Sequence, residues 1–125
     1  MRRRILLIDD ADDIRTIARM SLERIGGWDV LEATTGPDGV EQAATHRPDA
    51  ILLDVMMPDV DGPTTFRLLD ADARTHGIPV VLLTARGDAA ERDRWLAQGV
   101  TGVLSKPFDP VLLPSQVAEA LGWPA

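Results

Sequence analysis

The chain has 125 residues, 20 acidic against 13 basic side chains and a formal net charge of −7. That balance argues against direct nucleic-acid binding, which needs a basic footprint. The absence of cysteine excludes thiol chemistry, Cys-based zinc sites and a disulfide framework. With 45% hydrophobic and 26% charged residues, one globular domain over residues 1–125 is the expectation, burying roughly two-thirds of its unfolded surface. The opening MRRRILLIDDADD imitates a signal peptide, but its apolar stretch is only Ile5 to Ile8, short of the roughly 7–15 residues of an h-region. No apolar run approaches the roughly 20 residues needed to span a bilayer. Neither membrane insertion nor nucleic acid is expected, and the cytoplasm is the simplest location.

In chain order, short apolar runs alternate with longer amphipathic ones, with no linker, repeat or low-complexity tract. The strand candidates are Arg4–Ile8 (RILLI), Trp28–Ala33 (WDVLEA), Ala50–Leu53 (AILL), Val80–Leu83 (VVLL) and Gly102–Leu104 (GVL). Most lack polar alternation, as expected of parallel strands buried on both faces. WDVLEA alternates and is placed nearer an edge. Between them, Ile14, Ile17, Ala18, Leu22 and Ile25 follow one helix face, stopped by Gly26-Gly27. Gly36 to His46 forms a second helix, closed by Pro48, and Pro63 to about Thr75 a third, behind an Asp61-Gly62 turn. Asp88 to Gln98 forms a fourth, opened by an aspartate cap and ended by Gly99. Asp109 to Leu121 forms a fifth, whose start Pro114 makes irregular or late. This is a (βα)₅ pattern: an α/β domain with a parallel sheet, helices on both faces and right-handed crossovers.

Open sheets of this kind bind ligands beyond the carboxyl ends of their strands. Strand one ends in Asp9-Asp10, strand three in Asp54, strand four in Thr84-Ala85 and strand five in Ser105-Lys106-Pro107. Two carboxylate charges about 5 Å apart repel by roughly 3 kcal/mol at an effective dielectric near 20. Three need a cation among them, and Lys106 offsets one. A divalent metal with oxygen ligands and retained waters is the low-cost answer, Mg²⁺ more than Ca²⁺. Metal, lysine and hydroxyl are also what a transferring phosphoryl group needs around its oxygens, and an adjacent aspartate can be the nucleophile.

The strings RILLIDDADDIR, WDVLEATTGPDGVEQA, PDAILLDVMMPDVDG, IPVVLLTA and GVLSKPFDP, in that order and at that spacing, resemble the response-regulator receiver domain of two-component signalling, the CheY-like type. The resemblance covers essentially the whole chain. It implies a doubly wound sheet in the order 2-1-3-4-5. It makes Asp54 the phosphoacceptor for a partner kinase's phosphohistidine, Asp10 the direct Mg²⁺ ligand and Asp9 a ligand through water. It also puts Asp54 and the backbone carbonyl of Met56 on the metal, and Lys106, the Thr84 hydroxyl and the Ala85 N–H on the phosphoryl oxygens. Pro107 matches a position where the family has a cis peptide. The implied partners are a histidine kinase or histidine phosphotransfer protein, and a downstream protein bound through the α4–β5–α5 face. Such a domain catalyses only its own phosphorylation and dephosphorylation. With the whole chain used up by the receiver, a stand-alone regulator is the expectation.

Simpler readings stand beside these. Asp12 and Asp13 are read as cap and first-turn acids, and Asp59 and Asp61 as turn formers. Met56-Met57 is read as loop packing, and His46 and His76 as surface or capping residues. Arg2 to Arg4 flank the first strand, Trp28 packs at a sheet edge, Trp95 is a candidate partner anchor, and Trp123 has no assigned role. Three departures from the family matter. Val103 stands where a Tyr or Phe ring is common, and the chain has no tyrosine. Asp93 stands on the fourth helix where an apolar residue is usual. Met56 and Arg86 occupy the two positions that tune phosphoryl hydrolysis. The missing ring favours a second hypothesis, a phosphorylation-independent adaptor, while the acidic triad, Thr84 and Lys106 count against it. A haloacid-dehalogenase-type phosphatase would need an aspartate where Met56 stands. A flavodoxin-like flavin binder would need a phosphate loop where ADDIR would repel the phosphate.

Overall fold

A computed structural model of the chain describes residues 2–57, 61–85 and 89–124. Its elements run β1 (Arg4–Ile8), α1 (Asp12–Arg24), β2 (Asp29–Ala33), α2 (Gly36–His46), β3 (Ala50–Asp54), α3 (Gly62–Ala71), β4 (Val80–Thr84), α4 (Ala89–Ala97), β5 (Gly102–Ser105) and α5 (Leu113–Leu121). The five strands form one parallel sheet in the order β2-β1-β3-β4-β5, as expected.

Alternation along the strands sorts the core into two halves. Leu6, Ile8, Ile51, Leu53, Leu82 and Val103 pack on one face with Ala43 of α2, Phe66 and Leu69 of α3 and Trp95 of α4. Ile5, Leu7, Leu52, Val81 and Leu83 pack on the other with Ala18 and Leu22 of α1 and Leu113 and Val117 of α5. The sheet therefore lies between α2, α3 and α4 on one side and α1 and α5 on the other. Close approach of α2 to β1 explains Gly39, where an added Cβ would run into the Ile8 side chain.

The helix boundaries follow from local chemistry. Thr35 caps α2, accepting the Asp38 N–H, and Arg47 closes it in the left-handed region at φ 45°. At α1 the N-cap is Ala11, with no side-chain cap bond, so Asp12 and Asp13 both fall in the first turn. The helix expected to reach Thr75 stops at Ala71. The Asp72 carboxylate accepts the Arg74 N–H at 2.8 Å, and the Thr75 hydroxyl turns back onto the Leu69 carbonyl at 2.6 Å, which replaces the last helical turn with a tight one. Helix α5 starts late, at Leu113, with Pro114 in its first turn.

Three aromatic and basic expectations meet their surroundings here. Trp28, just before edge strand β2, meets Trp123 edge-to-face at 5.3 Å, and the Arg3 guanidinium lies 4.4 Å from the Trp123 ring centroid. Arg2 pairs with Asp29 at 3.2 Å. Trp95, read from sequence as a partner anchor, is instead 7% exposed and belongs to the core. A tryptophan on a polar helix is here the side chain that fastens the helix down. Both histidines are exposed, His76 against the Asp70 carbonyl. The expected turn former Asp59, the hydrolysis-tuning Arg86 and the cap Asp88 lie outside the described residues.

Candidate functional site

The carboxyl ends of β1, β3, β4 and β5 converge, and each delivers a side chain singled out by sequence. Beyond β1, the Asp9 N–H extends the ladder to the Ala33 carbonyl of β2 at 3.1 Å. This holds the Asp9 carboxylate in the interior, 1% exposed, while Asp10 faces outward. Asp9 Oδ1 accepts the Ala11 N–H at 2.9 Å and turns the chain into α1. Strand β3 ends on Asp54, 3% exposed. Its Oδ1 accepts from Lys106 Nζ at 2.8 Å and from the Met56 N–H at 3.2 Å. Thr84 ends β4 in a buried position, and its carbonyl accepts the Lys106 N–H at 2.8 Å, fixing the lysine's backbone beside it. The Lys106–Pro107 peptide is cis. Ala85 is exposed at the rim, as is Met56, at 71%. Met57 is buried, so the methionine pair divides between surface and core.

Two positioning features were not legible as such. Gly62 opens α3 against the end of β3, and its N–H donates to the Val55 carbonyl at 3.0 Å. A Cβ there would stand 2.6 Å from Val55 Cα and 2.9 Å from the Asp54 carbonyl, so only glycine allows the approach. Arg15 donates to the Asp9 carbonyl at 3.1 Å and to Asp12 at 2.6 Å, and lies 3.4 Å from Glu32 of β2. The hint in the sequence was Arg15 three residues beyond Asp12, a spacing that pairs on any helix. Asp12, buttressed against Arg15, raises the guanidinium's pKa still further.

One carboxylate oxygen from each of Asp9, Asp10 and Asp54 lies within 4.8 Å of the others. Burial pushes the Asp9 carboxyl up to about 6, reinforced by Asp54 and Asp10 and opposed by the Ala11 N–H and Lys106. Its Oδ2 is buried with no hydrogen-bond donor and stands 3.8 Å from Lys106 Nζ. Three hard oxygen donors, one of them without a donor of its own, fit a small divalent cation such as Mg²⁺. Beside them the lysine, the buried hydroxyl and the rim N–H can surround an oxyanion, and Asp54 can act as a nucleophile.

Residues 5–118 match the family model of the response regulator receiver domain. The chain is 42% identical over 106 residues to the DNA-binding dual master transcriptional regulator RpaA of Synechocystis sp., covering 85% of this chain and 44% of that protein. It is 41% identical over 119 residues to the response regulator PleD of Caulobacter vibrioides, covering 94% of this chain and 26% of that one. It thus spans less than half the length of either relative. Among solved structures, chemotaxis protein CheY4 of Vibrio cholerae superposes with a TM-score of 0.87 at 27% identity, over 96% of this chain and 99% of the other. A putative response regulator from Chloroflexus aurantiacus does so with a TM-score of 0.86 at 30% identity, over 98% and 99%. Acid cluster, sheet order and kinship agree, and the chain belongs to the response regulator receiver domain family of two-component signalling.

Proposed function

We propose that this domain accepts a phosphoryl group on Asp54 and signals by the change of surface that follows. The observation that carries the reading is Lys106 Nζ held 2.8 Å from Asp54 Oδ1, beside the Asp9 and Asp10 carboxylates. An Asp54 oxygen attacks the phosphorus of a partner's phosphohistidine. The O–P bond forms as the P–N bond breaks, and the imidazole nitrogen keeps the electron pair. Lys106 neutralises charge that moves outward onto the phosphoryl oxygens, and the Thr84 hydroxyl and Ala85 N–H donate to those oxygens. Mg²⁺, when held by Asp10, Asp54 and the Met56 carbonyl, and through water by Asp9, supplies charge neutralisation at the same oxygens. Asp9 and Asp10 give that cation its place, and Arg15 orients the Asp9 peptide from behind.

The donor is a histidine kinase or a histidine phosphotransfer protein in the cytoplasm. The product acts on a downstream protein through the α4–β5–α5 face or passes the group onward. The chain catalyses its own phosphorylation and dephosphorylation only. Among the described residues no helix is long and apolar enough to cross a membrane.

Incubation with acetyl phosphate and Mg²⁺, followed by intact-mass measurement, should add one phosphoryl increment that D54N lacks. An increment that persists in D54N moves the acceptor elsewhere. Its absence in the wild type turns the reading to a phosphorylation-independent adaptor, which Val103, buried where the family commonly has a ring, favours.

A further inference from the structure

We propose that Trp95 is the positioning residue of α4, the pivot through which a change at Thr84 and Ala85 reaches that helix. The inference rests on the phosphoacceptor reading of Asp54. Of the nine residues of α4, Trp95 alone is buried. Ala89, Ala90, Arg92, Asp93, Arg94, Leu96 and Ala97 are all exposed and Glu91 is half-buried. The other helices bury three or more residues each, so α4 is the one whose hold on the sheet is concentrated in a single ring.

That ring has two distinct environments. It shares a core cluster with Leu82, Val100 and Val103. It also borders a cleft of about 700 Å³ whose walls include Thr84, Ala85, Met56, Met57 and Glu91. The indole N–H donates to Glu91 Oε1 at 3.2 Å, and Glu91 Oε2 accepts from Arg94 at 2.9 Å, a brace one helical turn long that fixes the ring's orientation. A side chain packed on all sides transmits strain without moving. One that borders open volume can shift, and here that volume lies between the ring and the end of β4. Val103, 3% exposed in the same cluster, is β-branched and stiff at χ1, so the only ring that α4 and β5 bring to this cluster is the indole of α4. A shift of Thr84 and Ala85 towards a phosphoryl group on Asp54 changes the shape of the cleft, the indole follows, and α4 turns about it.

The test uses the W28F/W123F protein, in which Trp95 is the sole indole, and its W95F and W95L derivatives. Acetyl phosphate with Mg²⁺ is the probe. Intact mass scores phosphorylation, Trp95 emission reports the ring, and amide exchange reports α4. Phosphorylation is expected to shift Trp95 emission and to change α4 exchange by roughly five-fold or more, the lower end of ordinary coupling between sites. W95F, which keeps a ring, is expected to retain the exchange response. W95L is expected to accept the phosphoryl group while its α4 exchange no longer depends on it. A phosphoryl increment with unchanged Trp95 emission overturns the inference, as does a wild-type-sized α4 response in W95L. With no increment in any form, the phosphoacceptor reading falls first and this inference falls with it.

Discussion

Asp9 bears the most costly charge in the acid cluster, because one of its oxygens is buried without a hydrogen-bond donor. Its carboxyl is pushed from 3.8 up to about 6, chiefly by burial. Between those values the folded protein retains a proton that the unfolded chain has released. Metal-free stability from this group therefore falls as pH rises through that window and stays lower above it. At neutral pH in chelator, D9N should melt higher than the wild type, by on the order of 1–3 kcal/mol of stability. Mg²⁺ binds the charged form that Asn cannot offer, so adding it should reverse the order. Calorimetry with and without Mg²⁺ checks both, and a D9N protein less stable than wild type in chelator contradicts the account. Met56 sets a different property. Its side chain stands exposed beside Asp54 and has no group to orient an attacking water. The phosphoryl group should be long-lived, and M56N should shorten its lifetime severalfold. Loss of label followed in time decides the matter, and an M56N protein no faster than wild type sinks it.

At the scale of elements, the end of β3 is held by the start of α3. The Asp61 carboxylate caps that helix, accepting the Thr64 N–H at 2.9 Å. That bond, with a second from the Thr64 side chain, holds the carboxyl below the usual aspartate range. The cap's contribution is present above the unfolded pKa and is lost as pH falls through the folded one. D61A should cost about 1 kcal/mol in denaturant unfolding at neutral pH. The wild-type advantage should shrink in acid, and a difference that does not depend on pH would assign the loss to something other than the charged cap. Helix α4 shows the opposite economy. Asp93, noted from sequence as a polar intrusion, lies on an exposed face, and its neighbours leave the helix one buried anchor. The sequence announced that α4 is polar, but it could not say whether Trp95 points inward or out. A single aromatic on a polar helix has no partner position at i+3 or i+4 to define a buried stripe.

Across the whole molecule, legibility followed the strength of the local signal. Runs such as AILL and VVLL admit little besides buried strands, and each of the five strands lies within one residue of its expected bounds. The bounds of α2 coincide with expectation because Thr35 and Pro48 mark its two ends. The end of α3 was misjudged because Asp72–Thr75 is as polar as a helix surface, and its turn is made by side-chain bonds that periodicity does not report. The meeting of Asp9, Asp54, Thr84 and Lys106 was legible from topology, since strand ends of a parallel sheet share an edge. The Arg15 bond to the Asp9 carbonyl and the pairing of Trp28 with Trp123 were not, because each joins residues whose proximity depends on how the helices and termini settle. Global order should appear in hydrogen exchange. The amides of β1, β3 and β4, each flanked by two strands and almost wholly buried, should exchange slowest, and those of the edge strands β2 and β5 should exchange first among the strands. Protection of β5 equal to that of β1 would contradict this ranking.

The two rims of the sheet are guarded unequally. Along β2, Asp29 meets Arg2, and Glu32 meets Arg15 and Arg19, so the outer strand carries fixed charge that discourages another chain from adding a strand. Strand β5, Gly102–Ser105, carries no charged residue. Its two faces are covered by α4 and α5, the first of them fastened by a single ring. Self-association under mild heat or denaturant should therefore begin at β5, and a lysine placed there at Ser105 should delay it.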